Sequence, residues 1–263
     1  MNQYALDNDA AQTPGRFNVL EDRYDPHTRD CLERLGIGAG WRCLEIGAGG
    51  GSVAAWMADR VGPTGSVLAT DVKPRLAAES ARPNLTPAQH DVTTDALPDS
   101  AFDLVHARLV LIHLQDRREA LARIVAALKP GGHLLLEEFD CSWTPVLRSP
   151  YPEAEALFTT VNDAFVRRLE SFGADHRWGR KVFAAMAETG LVEMGSRTFA
   201  EAWDGGGTGI GLYRYNTEQL APELLRDGVS EEQLTRFWAL LEHPGFTVNS
   251  YPLVSVWGRR SGR

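Results

Sequence analysis

The residues best placed to do chemistry begin with Glu45, which stands just ahead of three glycines at alternate positions, Gly47, Gly49 and Gly51. Glycine carries no Cβ, so such a run lets the main chain turn sharply and come within contact distance of a ligand. A carboxylate beside it suits the cationic end of a ligand far better than a phosphate. Two more acids follow short apolar runs, Asp71 at 20 positions after Gly51, and Asp91. An acid at the first distance is where ribose hydroxyls find an acceptor in a strand–helix–strand unit, although a helix N-cap would also use Asp71. Asp91 also fits a simple turn. Farther on, His113 titrates near neutrality and could act as a base or hydrogen-bond partner, or else start a helix bonded to backbone. Glu138 could accept from a substrate N–H or O–H.

These side chains need a frame. Arg42–Ile46 reads as an apolar strand, and Val53, Met57 and Val61 recur at helical spacing after the glycines. A dinucleotide fingerprint would need glycine at position 52, which is Ser52. Further strands are predicted over Ser66–Asp71, up to Asp91, over Ala101–Arg108 and over His133–Asp140, with a helix from Asp116 to Leu128 stopped by Lys129-Pro130-Gly131-Gly132. This alternation over residues 40–140 predicts an α/β parallel sheet covered on both faces. Ligands of such sheets bind beyond the carboxyl ends of the strands, which would gather His106, Arg108, His113, Glu138 and Asp140. Glu137, next to Glu138, should point to the opposite strand face, leaving one of the two solvated.

Glu45-x-Gly47-x-Gly49-x-Gly51, Phe102-Asp103-Leu104-Val105 and Leu128-Lys129-Pro130-Gly131-Gly132 occur in order. Together they resemble the class I methyltransferases that use S-adenosylmethionine. The resemblance implies an α/β fold: a seven-stranded, mostly parallel, doubly wound sheet with an antiparallel last strand, an N-terminal helical lid and a helical insert after strand five. It implies a lid over residues 1–40, a cofactor-binding core over 41–144, an insert over 145–178 contributing to the substrate pocket, and the rest of the sheet with a further helical insert over 179–263. It also implies S-adenosylmethionine as cofactor, S-adenosylhomocysteine as its product, and no metal. Cofactor contacts carried over are Glu45, Gly47, Gly49, Gly51, Asp71, Val72, Asp91, Val92, Ala107 and Arg108. Asp91 would accept from the adenine amino group, the Val92 amide would donate to a ring nitrogen, and Ala107 and Arg108 would pass under the methionine portion.

Tyr24 is the lid residue expected to face the site, or else a half-buried packing tyrosine. His113, Glu138 and Tyr24 are the candidate catalytic residues, and the same three with Trp143 and Trp178 the candidate substrate contacts. Tyr4, Phe17 and Phe172 are further aromatics outside the core. The chain is similar to bacterial enzymes acting on natural products, which implies a small, aromatic or indole-type acceptor methylated on carbon, nitrogen or oxygen. The other readings are a quinone or sterol C-methyltransferase, and a methyltransferase-like cyclase or non-catalytic cofactor binder.

Composition narrows the partners. With 263 residues, 43% of them hydrophobic, the chain can bury a large core. A net charge of −8 and a pI near 5.4 disfavour nucleic acid. The three cysteines, Cys31, Cys43 and Cys141, lack metal spacing and read as reduced thiols of a cytoplasmic protein, Cys43 as a small core residue. No signal peptide or membrane-length apolar run is read, and the expectation is a monomer or homodimer. Helices are further predicted from Thr28 to Leu35, from Glu153 to Leu169 and over residues 217–227 and 230–242, and a strand over residues 191–203. Ser250–Trp257 is predicted as the antiparallel edge strand, where Pro252 is tolerated because an edge can spare one donor, and Arg259–Arg263 as a frayed end.

Overall fold

The computed structural model describes Leu6 and residues 9–262, so the expectation for Tyr4 lies outside the described residues. In chain order come α1 (Thr13–Arg34), β1 (Arg42–Ile46), α2 (Ser52–Val61), β2 (Ser66–Asp71), β3 (Leu85–Gln89), β4 (Phe102–Arg108), α3 (Arg117–Ala127) and β5 (Leu128–Phe139). Then follow β6 (Val146–Arg148), α4 (Ala154–Ser171), α5 (Val182–Glu188), β7 (Val192–Phe199), β8 (Ala202–Asp204), α6 (Gly211–Gln219), α7 (Ala221–Arg226), α8 (Glu231–Leu241), β9 (Thr247–Asn249) and β10 (Leu253–Arg259). Among the described residues, no helix is long and apolar enough to cross a membrane.

The segments group differently from their order in sequence. One unit comprises Tyr24–Phe139, Arg177–Phe199 and the chain from Leu253; the other comprises the chain up to Arg23, Asp140–His176 and Ala200–Pro252. The first holds a seven-stranded sheet in the order β3-β2-β1-β4-β5-β10-β7. Neighbours from β3 to β5 run parallel, and β10 runs antiparallel to both β5 and β7. Its central strands are buried on both faces, with Leu44, Val105 and Leu135 fully covered, as a sheet layered between helices requires. Val53, Met57 and Val61 of α2 pack with Val67 and Leu104 in one hydrophobic cluster. Cys43 lies in it too, its thiol pushed up to about 12 by burial, an inert core residue as expected.

Three expectations need correction here. The last strand is antiparallel but interior, and β7 forms the edge. A strand as buried as β10 needs a neighbour on each side, whereas β7 is mostly exposed and carries Glu193 and Arg197, a common way to blunt an edge. Pro252 precedes β10 and costs it no donor. Arg259 and Arg260 are not frayed, since Arg259 pairs with Glu193 at 2.7 Å and the Arg260 amide donates to Gly132 O at 2.8 Å. Finally, α1 is one helix with Pro26 inside it, not a helix begun near Thr28. Tyr24, Thr28 and Leu32 line one stripe of it and are fully buried, and that burial outweighs the lost proline donor.

The second unit was expected as helical inserts, yet it also contains a three-stranded sheet, β6-β9-β8. Residues 191–203 therefore do not form one strand but feed two sheets, through β7 and β8. Around the small sheet α4, α6 and α8 bury an aromatic core: Phe158 stands edge-on to Tyr213 at 5.1 Å, with Phe237 and Phe246 beside it. Its buried hydroxyls are satisfied, Tyr213 donating to Asn249 O at 2.7 Å and Tyr251 to Asn162 Oδ1 at 2.6 Å.

Candidate functional site

β1 delivers Glu45 into the glycine loop, where Gly47, Gly49 and Gly51 have φ of 70, 52 and 88°. Other residues avoid that left-handed region, and a Cβ on Gly51 would also meet Leu76 Cδ2 at 2.6 Å. The loop is stitched to the end of β2. Gly47 N and Ala48 N donate to Thr70 O at 2.7 and 3.0 Å, and Gly49 N donates to Asp71 Oδ2 at 3.2 Å. Asp71 Oδ1 accepts from Lys73 N at 2.9 Å. Each oxygen of Asp71 thus holds one amide and keeps a lone pair for a ligand hydroxyl. Val72, next along, is an apolar side chain left 49% exposed at the tip of β2. Beyond β3, Asp91 Oδ1 closes a turn by accepting from Thr93 N at 2.9 Å and Thr93 Oγ1 at 2.6 Å, and Val92 is buried.

β3, β2 and β1 are successive neighbours, so their tips are spread over about 10 Å. Along that row stand an acid, an apolar surface beside a second acid, and a third acid ahead of the glycines. This donor set fits an adenosyl sulfonium: carboxylate for ribose hydroxyls, apolar surface for a ring, carboxylate for an ammonium.

Behind Glu45 lies an arrangement the sequence reasoning missed. Glu45 is itself buried, and its Oε2 accepts from His106 Nδ1 at 2.7 Å. The other ring nitrogen of His106 meets Glu137 Oε2 at 3.1 Å. Burial opposes a charge on His106, but Glu45 and Glu137 on its two sides outweigh it and hold the ring up at about 9. Burial likewise works against the Glu137 carboxylate, which His106 and Arg108 nevertheless hold down at about 2. Thr28 Oγ1 and Ser255 Oγ also donate to Glu137, both at 2.5 Å. Since Ser255 donates its only proton there, His27 Nε2 at 2.9 Å must donate to Ser255. His27, Cys31 and Glu137 offer donors within 4.8 Å of one another, but this hydrogen-bond chain already engages the first and last, and burial pushes the Cys31 thiol up to about 11. A histidine inside the apolar β4 pattern was the available signal.

The remaining expected residues are placed as follows. Ala107 is fully buried. Arg108 turns its side chain onto α1, pairing with Asp25 Oδ1 at 2.8 Å and donating to Thr28 Oγ1 at 3.0 Å. Glu138, expected to meet substrate, is also corrected: it is fully buried, its two oxygens accepting from Leu111 N at 2.8 Å and Ile112 N at 3.1 Å. Burial pushes it up to about 8 despite those amides. Neither Glu137 nor Glu138 is solvated, because a central strand is covered on both faces. The 3₁₀ turn that Glu138 clasps, Leu111–His113, ends in His113, half-buried at the tip of β4.

Among the aromatics, Tyr24 is fully buried against Phe139 and Phe199, with ring centroids 5.2 and 5.8 Å away, which is the packing reading and not a lid tyrosine facing ligand. Trp178 is buried beneath the Arg117 guanidinium, and its Nε1 has no partner among the described residues. Trp143, 54% exposed, belongs to the other unit. The structure therefore gathers Glu45, the glycines, Asp71, Val72 and Asp91 in one unit, and does not bring Trp143 into that unit.

The sequence matches the methyltransferase-domain family over residues 20–203. The ubiquinone/menaquinone biosynthesis C-methyltransferase UbiE of Ectopseudomonas mendocina is 31% identical over 159 residues, 54% of this chain and 62% of that protein. Methyltransferase str2 of Strobilurus tenacellus is 33% identical over 151 residues, 57% of this chain and 52% of that protein. The chain thus spans less than two thirds of either relative. A structure of Haemonchus contortus phosphoethanolamine N-methyltransferase 2, in complex with phosphomonomethylethanolamine and S-adenosylhomocysteine, shares the fold with a TM-score of 0.58 at 16% identity, covering 97% of this chain and 59% of that one. By its matched residues and its sheet, the chain belongs to the methyltransferase-domain family of class I, S-adenosylmethionine-dependent enzymes.

Proposed function

We propose that this chain transfers a methyl group from S-adenosylmethionine to a small, electron-rich organic acceptor, aromatic or indole-type, in natural-product metabolism. The observation that carries the reading is the row of Glu45, Asp71 with exposed Val72, and Asp91 across three neighbouring strand tips beside the left-handed glycine loop. Glu45 would take the ammonium of the methionine end. Asp71 would accept from the ribose hydroxyls, Val72 would lie against the adenine, and Asp91 and the Val92 amide would address its edge. The bound cofactor supplies an electrophilic methyl on a sulfonium, so the protein's chief task is to hold a nucleophile in line and exclude water, an effect of roughly 7–11 kcal/mol.

Neither carboxylate of β5 is offered as the base for such a reaction. Glu138 is turned to backbone amides, and Glu137 is engaged by His106, Thr28 and Ser255. This favours acceptors that attack without first losing a proton, such as an electron-rich ring carbon or a neutral amine, with His113 as the hydrogen-bonding group toward the acceptor. A second reading, C-methylation of a quinone precursor, draws on the likeness to UbiE. Titration calorimetry with S-adenosylmethionine tests the cofactor; no heat at millimolar cofactor would overturn both readings. Labelled cofactor with a panel of indoles, phenols, amines and prenylated quinone precursors tests the acceptor, and label confined to the quinone precursors would overturn the first.

A further inference from the structure

We propose that His106 is a positioning residue for the cofactor: an imidazolium, gripped between two carboxylates, that fixes buried Glu45 in place and aims it for the ligand's ammonium. The inference deepens the cofactor reading above and rests on it. β4 lies between β1 and β5, and Glu45 is the direct register partner of His106. His106 thereby donates from Nδ1 to Glu45 at 2.7 Å and from Nε2 to Glu137 at 3.1 Å, with no exposure to solvent. A neutral imidazole has one N–H and could satisfy only one of these acids. Other charged groups are close. Arg108, on β4 itself, is paired with Asp25 of α1, while Thr28 of α1 and Ser255 of β10 also donate to Glu137. Arg108 also acts on Glu137, and Arg29 shares Asp25 with Arg108 at 3.1 Å, so what the trio offers an arriving ammonium is the oriented carboxylate of Glu45.

Stability alone does not call for this trio. Burying an ion pair usually gains little over apolar side chains of the same size, and the same strands supply such side chains at Leu44, Val105 and Leu135. What an apolar residue at 106 could not do is donate to Glu45 and hold its carboxylate in one orientation beside the glycine loop.

The test compares two ligands by calorimetry: S-adenosylhomocysteine, which carries the amino-acid end, and 5′-methylthioadenosine, which lacks it. His106→Gln is expected to weaken S-adenosylhomocysteine roughly tenfold to a hundredfold, the worth of a charge-assisted hydrogen bond, and to leave methylthioadenosine unchanged. Glu45→Gln should lose as much, and the double variant no more, because one residue acts through the other. Equal weakening of both ligands by His106→Gln, or unchanged binding of S-adenosylhomocysteine, would overturn the proposal while leaving the cofactor reading intact. A wild-type protein that binds neither ligand would remove both. Should His106→Gln not fold, nitrogen NMR of the wild-type ring decides: two protonated ring nitrogens at neutral pH support the proposal, and a single one overturns it.

Discussion

Asp71 fastens the Gly49 and Lys73 amides, one on each carboxylate oxygen, and in the proposed reading its remaining lone pairs take the ribose hydroxyls. Asp71→Ala should therefore weaken S-adenosylmethionine by about tenfold or more in calorimetry, with the far-ultraviolet dichroism of the fold retained. Glu138 makes a prediction of a different kind. Its pKa in the folded chain, about 8, lies above the ordinary value of 4.5, so the stability it contributes is complete below pH 4.5 and lost as pH rises through 8. His106, held at about 9 against an ordinary 6.5, adds a loss of the same sign between those values. The melting temperature should fall from pH 5 to 9 by more than about 3 °C, the shift expected for roughly 1 kcal/mol in a chain of this size. In Glu138→Gln the fall should begin only above pH 6.5, whatever the variant's absolute melting temperature. The left-handed glycine loop between β1 and α2, and the acid that ends β2, were legible because the motif is local spacing. The roles of Glu138 and His106 were not, since their partners lie 26 to 61 residues away and a sheet must form before they meet.

At the scale of elements, strands with long apolar patterns and helices with clear stops could be read, and β1, β2, β4, α4 and α8 fall close to where the pattern put them. α8 shows why: Ser230 and Gln233 form a reciprocal capping box, a signal written in adjacent residues. Ser230→Ala should lower stability by about 1 kcal/mol, seen as a lower urea midpoint with unchanged slope. α1 misled because proline reads as a helix breaker, while the stripe of Tyr24, Thr28 and Leu32 that overrides Pro26 becomes visible only through burial. β10 misled for a related reason. A Pro beside an apolar run suggests an edge, and nothing local says that β7 will take that place.

At the scale of the molecule, the seven-stranded sheet was foreseen and the second unit's sheet was not, because β6, β8 and β9 are three residues each and too short to show a period. That unit has a sensitive point at Gly205, where an added Cβ would stand 2.0 Å from the carbonyl oxygen of His243. Gly205→Ala should thus speed amide hydrogen exchange in α8 and β9 while leaving β1, β2 and β4 as protected as before; equal loosening in both sets would show that the two units melt as one.

The placing of β10 between β5 and β7 also governs how the protein comes into being. On a translating ribosome β1 to β5 can join as they emerge, but β7 leaves the exit tunnel without a neighbour and waits until Leu253–Arg259 has been synthesised. Until then the nascent chain shows an open rim at β5, and translational stalling in that interval would expose it to chaperones or to other unfinished copies.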